Sequence, residues 1–575
     1  MPFAAGVARG TLRGMHRAAV PLVRLAPALS TLLLLAAALA WPQWARAQPK
    51  TVCTITINSS DEKQTFQRHL PPEQYRFVEL VQPGQSDWLA SACRRGVTCD
   101  ALIISGHFDD GTEFYTDRLG DRDVLTVHEM EQASCSASCG GLFSQLKEVY
   151  LFGCNTLQSM PRHSASAEIA RSLLRDGHTQ AEVDQISAGL SQRYGQSNRD
   201  RLRHIFKDVP VLYGFSSKAP LGRTAGPLLE RYFQTAPAGE VASGHASAAL
   251  LGLFGPTSMV SASGLTDADP HASFRSDVCG FADERPSDAQ KVAFMHDVLR
   301  RDVTDVRMFL DHLERYASSL DAPRRAMPAV AAALASIERD HAARERYLAF
   351  ARDADDASVQ LRMTALARTL GWLTAQQERD EFVQMVAQRM TTQRLGKHEV
   401  DLVCATPLAQ GHDLAPRVQQ LVGARSDNTA HSAALACLGS PEAHQRTLRA
   451  LTSEREDDIA IAQVYLRHRP LTDIDEQRAV VSGIGRMATA RTQLRALEAI
   501  ARQRLADPQS VQAVAQLFTR ARSLDVQRAI ADILIRSDRR TLAQGDLARL
   551  LRQHRLKSPN GSDVIDVLIR LLQTA

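Results

Sequence analysis

The chain carries almost no excess of charge of either sign. Its 575 residues include 68 Lys and Arg against 64 Asp and Glu, which gives a formal net charge of +4. Five of the arginines and none of the acids lie in the first 47 residues, so the rest of the chain has a net charge of −1. Nucleic-acid-binding domains are usually strongly basic on one face. We therefore expect no nucleic acid among the partners.

Three common catalytic or nucleotide-binding motifs are also missing. The sequence has no glycine-rich phosphate-binding loop, no Gly-x-Ser-x-Gly nucleophile elbow and no His-Glu-x-x-His motif. These absences give no support for P-loop nucleotide hydrolysis, an α/β-hydrolase serine mechanism or a zinc-protease mechanism. We predict that the protein works without a cofactor.

A long apolar run is present at the N-terminus. Four arginines precede residues 25–41, which are almost entirely apolar, and Ala45-Arg46-Ala47 supplies the small-x-small pattern of a cleavage site. This arrangement is typical of a secretory signal peptide. We therefore predict that residues 1–47 are removed and that the mature protein is exported, periplasmic or secreted, without stable membrane insertion. The alternative is an uncleaved anchor, since the 17 residues nearly suffice to span a bilayer.

All nine cysteines follow residue 47, and an odd number leaves at least one thiol without a partner in the chain. An exported chain meets an oxidising compartment, so we expect some of them to form disulfides. The candidates closest in sequence are Cys93 with Cys99 and Cys135 with Cys139. Spacing alone does not decide the connectivity.

Residues 48–235 alternate between strand-like and helix-like patterns. Apolar or β-branched runs predict strands at 51–58, 75–81, 101–107, 111–116, 149–154 and 209–215. Helical patterns fall between them, at 86–95, 123–133, 142–147, 164–175 and 226–233. This alternation predicts an α/β domain with a mostly parallel sheet and helices on both faces.

The remaining chain changes character twice. Residues 236–287 are rich in Ala, Gly, Ser and Pro without a clear period, which indicates a linker or an extension of the α/β domain. Residues 288–575 predict helix after helix. Five segments resemble one another at an irregular spacing of roughly 30–36 residues, with one degenerate repeat omitted: 357–370, 429–438, 457–466, 491–502 and 525–536.

Repeats of this kind resemble HEAT-type helix pairs, which stack into an α-solenoid. The alternative is an ordinary helical bundle. Solenoids offer extended surfaces and seldom carry chemistry, so we expect the repeats to hold a protein partner or the first domain itself.

Two of the predicted strands end in a reactive side chain. Gly106-His107 follows the run at 101–105, and Gly153-Cys154 follows the run at 149–152. Catalytic groups of parallel α/β sheets gather beyond the carboxyl ends of the strands, so we expect the imidazole and the thiol to lie together. Such a pair can form a nucleophilic site. The structural alternative is a buried or disulfide-bonded cysteine and a histidine that only shapes a turn.

This pattern resembles the caspase-like (clan CD) cysteine peptidases over roughly residues 50–235. The histidine comes first and the cysteine follows 47 positions later, after a small residue, as in that superfamily. Most members have a glycine directly after the histidine, whereas here Gly106 precedes it and Phe108 follows it. The caspase-type pentapeptide around the cysteine is also absent.

The resemblance implies a cysteine endopeptidase that hydrolyses a protein or peptide substrate. Cys154 would be the nucleophile and His107 the acid that protonates the leaving amine. The backbone N–H groups of Phe108 and Cys154 would stabilise the oxyanion.

Weaker candidates for substrate binding flank these residues. Asp109 and Asp110 follow the histidine, and Ser216 and Ser217 follow the strand that ends at Phe215. The alternative for the two aspartates is that they are solvated turn residues.

Two other functions remain open at this stage. The domain could be a catalytically inactive caspase-like fold in a cell-envelope scaffold, which the residue after His107 favours. Cys135 and Cys139 with His128 and His107 could bind zinc, although Cys-x3-Cys is a poor zinc signature and an oxidising compartment favours a disulfide. We predict no metal.

Overall fold

A computed structural model of the protein describes residues 48–573, apart from 82–86, 109–110, 118–122, 161–164, 176, 237, 410–411, 424–427, 504, 538–545 and 558–562. Residues 1–47, for which we predict a signal peptide, lie outside the described residues. No helix in the described part of the chain is long and apolar enough to cross a membrane.

A six-stranded sheet organises the first half of the chain. The strands of the described residues are β1 (Lys50–Thr56), β2 (Tyr75–Glu79), β3 (Ala101–Ser105), β4 (Glu113–Tyr115), β5 (Val124–Thr126), β6 (Glu148–Phe152), β7 (Val211–Phe215) and β8 (Met259–Ala262). The sheet order is β2-β1-β3-β6-β7-β8, with β8 antiparallel to β7 and the other neighbours parallel. All residues of β3, β6 and β7 are buried, which explains their unbroken apolar runs. The predicted mostly parallel α/β sheet is confirmed.

Helices cover both faces of this sheet. Those described up to residue 287 are α1 (Asp61–His69), α2 (Trp88–Arg94), α3 (Val127–Cys135), α4 (Gly140–Ser144), α5 (Ala165–Arg175), α6 (Gln180–Tyr194), α7 (Asn198–Ile205), α8 (Gly222–Thr235), α9 (Ala248–Phe254) and α10 (Ala272–Ala282). One buried cluster contains Phe206 and Leu102, and another contains Phe66 and Ile103. Because Leu102 and Ile103 are consecutive in β3, their side chains lie on opposite faces of the sheet.

The helix predicted at 123–133 begins later than expected. Val124–Thr126 form β5, which pairs with β4, and α3 starts at Val127. The Thr126 side chain accepts a hydrogen bond from the Glu129 N–H, and the Glu129 carboxylate accepts one from the Thr126 N–H, each at 3.1 Å. This capping box fixes the start of the helix.

Residues 236–287, predicted as a linker or an extension, contribute to the sheet and its surroundings. β8 pairs with β7 so that Met259 lies opposite Phe215. α10 packs against α3, and a disulfide joins Cys279 of α10 to Cys135 of α3. The sheet therefore continues past residue 235 to at least Ala262.

The disulfide pairing differs from the two local pairs expected from spacing. Eight of the nine cysteines form four disulfides: Cys53–Cys99, Cys93–Cys139, Cys135–Cys279 and Cys404–Cys437. The four candidates are thus bonded, but to other cysteines. Cys93 lies on α2 and faces the short turn that contains Cys139, whereas Cys99 lies next to β1. Several disulfides fit an extracytoplasmic location.

The rest of the described chain is helical, as predicted. Its helices are α11 (Asp288–Leu299), α12 (Val303–Met308), α13 (Leu310–Ser319), α14 (Ala322–Ala326), α15 (Pro328–Glu338), α16 (His341–Asp353), α17 (Ala357–Thr369), α18 (Ala375–Thr391), α19 (Lys397–Ala405), α20 (Ala415–Val422), α21 (Thr429–Cys437), α22 (Pro441–Ala450), α23 (Glu456–His468), α24 (Ile474–Ile484), α25 (Ala490–Ile500), α26 (Pro508–Arg520), α27 (Leu524–Arg536), α28 (Leu547–His554) and α29 (Val564–Gln573).

Alternate helices pack on one another in the second part of this region. α19 contacts α21, α21 contacts α23, α23 contacts α25, α25 contacts α27 and α27 contacts α29. One buried cluster runs through these helices, from Ala357 to Ile569. The five similar segments coincide with α17, α21, α23, α25 and α27.

A second buried cluster contains residues of the α/β region and residues of the helical region. Ile169 of α5 and Tyr194 of α6 are buried together with Phe309 and Leu313. Beside them, Arg307 Nε lies 3.1 Å from the Glu168 carboxylate.

Acidic pH is expected to destabilise the protein through His204, which is 8% exposed and packs against His271 and Phe274. Burial, with a smaller contribution from His271, lowers the pKa of His204 to about 3, against about 6.5 in an unfolded chain. Folding therefore favours the neutral imidazole, and its contribution to stability is complete above pH 6.5 and is lost as pH falls towards 3. Between pH 7 and pH 5 the loss from this side chain should be about 2 kcal/mol.

Urea unfolding at the two pH values measures this loss. His204→Gln should remove the His204 part of the pH dependence, whereas the exposed His245→Gln should not change it. An unchanged pH dependence in His204→Gln would contradict the assignment.

Candidate active site

The two reactive side chains lie at the carboxyl ends of neighbouring strands. Ser105 of β3 is in register with Phe152 of β6, and the Gly106 N–H donates a hydrogen bond of 3.2 Å to the Phe152 carbonyl. His107 comes after Gly106, and Cys154 comes two residues after Phe152. Both residues line the same small cleft. The sheet thus brings together the imidazole and the thiol.

Close packing explains the glycine before Cys154. A Cβ at Gly153 would lie 2.9 Å from the Phe108 Cβ, 3.0 Å from the Gly106 carbonyl oxygen and 3.0 Å from the Phe114 ring. These distances are too short for any side chain without a shift of the backbone around His107. Gly153 therefore allows the two strand ends to approach each other.

The turn after the cysteine is held by the end of β7. Asn155 has a left-handed backbone (φ 59°), and its N–H donates to the Ser217 carbonyl at 2.6 Å. The Thr156 hydroxyl donates to the Gly153 carbonyl at 3.1 Å and accepts from the Phe215 N–H at 2.9 Å. These bonds fix the backbone on the carboxyl side of Cys154.

Cys154 is the only cysteine of the nine without a disulfide, and all nine lie within the described residues. Its side chain is half-buried, and its sulfur accepts a hydrogen bond of 3.3 Å from the Ala219 N–H. This bond fixes the sulfur beside residues 219–222, which line the same cleft.

The imidazole of His107 is positioned by polar neighbours. The Thr116 hydroxyl donates to Asn58 Oδ1 at 3.1 Å, so the Asn58 amide nitrogen points to His107 Nε2, 3.0 Å away. In neutral His107 this donor places the ring proton on Nδ1. Asp117 lies 3.5 Å from the same Nε2, and the ring is 24% exposed. The Tyr115 backbone pairs with that of His107 and anchors the turn.

The two predicted oxyanion donors come from the same strand ends. Phe108 is 1% exposed, and its ring packs against Phe114 with the centroids 4.5 Å apart. Among the described residues, no hydrogen bond engages the backbone N–H of Phe108 or of Cys154. The Phe108 side chain therefore packs in the hydrophobic core, whereas its backbone N–H makes no hydrogen bond to another described residue.

Of the four weaker substrate-binding candidates, the structure describes only the two serines. Asp109 and Asp110 lie outside the described residues. Ser216 bonds to Ser258, and Ser217 holds Asn155 through its carbonyl group. Neither serine lines the cleft where the structure describes it.

Other residues that sequence reasoning missed do line it. Asn58, Ser59 and Glu62 give the cleft polar side chains, and residues 219–222 also line it. Glu62 is 2% exposed and accepts a hydrogen bond of 3.0 Å from the Ser105 hydroxyl. Burial raises the pKa of Glu62. The sequence does not indicate that Glu62 is buried, because α1 is mostly polar and has no clear apolar period.

A zinc site at the four residues considered above is contradicted by the pairing. Cys135 and Cys139 are both disulfide-bonded, and His128 faces Glu131 at 3.8 Å. In the described part of the chain, no group of three or more His, Cys, Asp and Glu could hold a metal ion.

Comparison with known proteins adds no further constraint. The chain gives no significant match to a protein-family model, to a curated protein or to a solved structure. The function is therefore inferred from the chemistry of the cleft.

Proposed function

We propose that this protein is an exported cysteine endopeptidase with a caspase-like α/β domain and a HEAT-like helical region. The observation that carries the proposal is a free thiol and an imidazole on one cleft at adjacent strand ends, in a chain whose other eight cysteines are bonded. A cysteine can act as a nucleophile in an oxidising compartment only if its thiol is not in a disulfide, and Cys154 meets this condition.

The reaction follows from these groups. The Cys154 thiolate attacks the carbonyl carbon of a peptide bond, and the carbonyl oxygen becomes an oxyanion that the N–H groups of Phe108 and Cys154 stabilise. His107 gives its proton to the amine as the C–N bond breaks. A water molecule then loses a proton to His107 and attacks the thioester, which releases the acid and restores the thiolate.

The stacking of alternate helices from α19 to α29 supports the HEAT-like part of the proposal. Each pair buries one apolar face against the next, as repeat arrays require. This region would bind a protein partner or regulate the peptidase.

An inactive scaffold is the second candidate, and the buried Phe108 favours it. The Phe108 side chain packs against Phe114 in the hydrophobic core, and Phe108 is not among the residues that line the cleft.

Thiol labelling separates the two candidates. Treating the mature, unreduced protein with iodoacetamide at pH 6 should modify Cys154 alone and at least about tenfold faster than free cysteine, as expected of a catalytic thiol. His107→Ala should slow the reaction, and His245→Ala should not. Labelling no faster than free cysteine, or Cys154 in a disulfide, would favour the scaffold.

A further inference from the structure

A second cavity, of about 220 Å³, lies away from the cleft and is lined by arginines. Arg175 at the end of α5 meets Arg352 at the end of α16, Arg389 near the end of α18, and Arg394 just beyond α18. The cavity therefore lies between α5 of the α/β region and α16 and α18 of the helical region.

Arg389 is the least usual of the four because its charge is buried. Its side chain is largely enclosed, with the residue 6% exposed, and its two terminal nitrogens donate to the carbonyls of Asp355 and Ala354 at 2.6 and 3.0 Å. Within the described residues, no carboxylate lies within 4.0 Å of its nitrogens. Carbonyl groups satisfy hydrogen bonds but do not neutralise a charge, and an unpaired buried cation is costly. Burial accordingly lowers the pKa of Arg389.

The neighbouring carboxylates are shared among other arginines. Asp355 lies 3.5 Å from Arg171, 3.5 Å from Arg175 and 3.6 Å from Arg394. These distances are longer than those of direct charged hydrogen bonds.

Asp353 also lines the cavity, and three other acids of this region have partners of their own. Glu381 pairs with Arg352, Asp356 caps α17 through Ser358, and Glu399 bonds to the Gly396 N–H. Four arginines and one carboxylate, that of Asp353, line the cavity, and Asp355 and Glu381 lie beside these arginines. Among the side chains that line the cavity, arginines outnumber carboxylates four to one.

We propose that this cavity binds a phosphate-type oxyanion. Guanidinium groups present pairs of N–H donors that match the oxygens of phosphate, and several together bind it through parallel charged hydrogen bonds. The bound anion supplies the counter-charge that Arg389 lacks and links α5 to α16 and α18. This inference is independent of the proposed peptidase activity. The competing explanation is that the arginines only cap the carboxyl ends of three helices.

Calorimetric titration of the whole mature protein tests the site. The probes are inorganic phosphate and glycerol phosphate, each against chloride at equal ionic strength, and they distinguish a free anion from the phosphate group of an organic ligand. Arg352→Gln and Arg394→Gln change partly exposed side chains, so the fold should survive. Arg339→Gln, an exposed arginine whose Nε bonds to its own helix, is the matched control.

We expect saturable binding of at least one phosphate probe, weakened at least about tenfold by either cavity variant and unchanged by the control. Arg389→Lys, which keeps the charge but loses the forked donor, should also weaken it. Equal responses to chloride and phosphate, or equal binding by Arg339→Gln and the cavity variants, would overturn the proposal in favour of helix capping.

Discussion

Replacing Cys154 by alanine is expected to reduce peptide hydrolysis at least about a thousandfold, because the variant loses the nucleophile that forms the acyl-enzyme. His107→Ala should reduce the rate by a similar factor, since the leaving amine then lacks its proton donor. The double variant should be no worse than either single one, because the two side chains act as one unit. Hydrolysis of a peptide library, followed by mass spectrometry of the products, measures these rates.

The controls for this prediction come from the same domain. His245→Ala removes an exposed imidazole and should leave the rate unchanged. Asn58→Ala removes the hydrogen bond to His107 Nε2 and should lower the rate by about tenfold, since the His107 backbone keeps its bonds to Tyr115 but the ring loses its orientation. Equal rates for the parent and Cys154→Ala would exclude the cysteine mechanism.

Removing the Cys135–Cys279 disulfide is expected to destabilise the protein by about 5 kcal/mol, a large share of the stability of an ordinary domain. This bond closes the longest loop of the four, 144 residues, and fastens α10 to α3. Without it, the unfolded chain gains the conformational freedom that the closed loop had removed. Cys135→Ala/Cys279→Ala avoids the new free thiols that single substitutions would create.

Guanidinium unfolding, monitored by fluorescence, measures the change, and Cys404→Ala/Cys437→Ala is the matched variant. Its bond closes a loop of only 33 residues within the helical region, so the expected loss is smaller, about 4 kcal/mol. Stability unchanged by Cys135→Ala/Cys279→Ala would show that α10 docks on α3 through its apolar contacts alone.

Local patterns predict much of the sheet but less of what covers it. β3, β6 and β7 are buried on both faces, so each appears in the sequence as an uninterrupted apolar run. α1 has no such signal: its nine residues are mostly charged or polar, although Phe66 is fully buried. The helix nevertheless supplies Glu62 to the cleft, so this part of the site could not be predicted.

The disulfide pairing also could not be predicted from the sequence. Cys93 and Cys99 are close in sequence, but Cys93 lies in the last turn of α2 and Cys99 lies just before β3. They therefore bond to different partners. Pairing depends on which elements become neighbours in space, and sequence distance does not contain that information.

By itself, the sequence determined the α/β and helical halves and the two strand ends that carry His107 and Cys154, because buried strands and amphipathic helices are local patterns of apolar residues. Only the tertiary structure decided that β3 and β6 are neighbours, that Cys154 is the thiol left free, and that Asn58, Glu62 and residues 219–222 complete the cleft. These features depend on contacts between segments far apart in the chain, which the packing of the whole molecule selects.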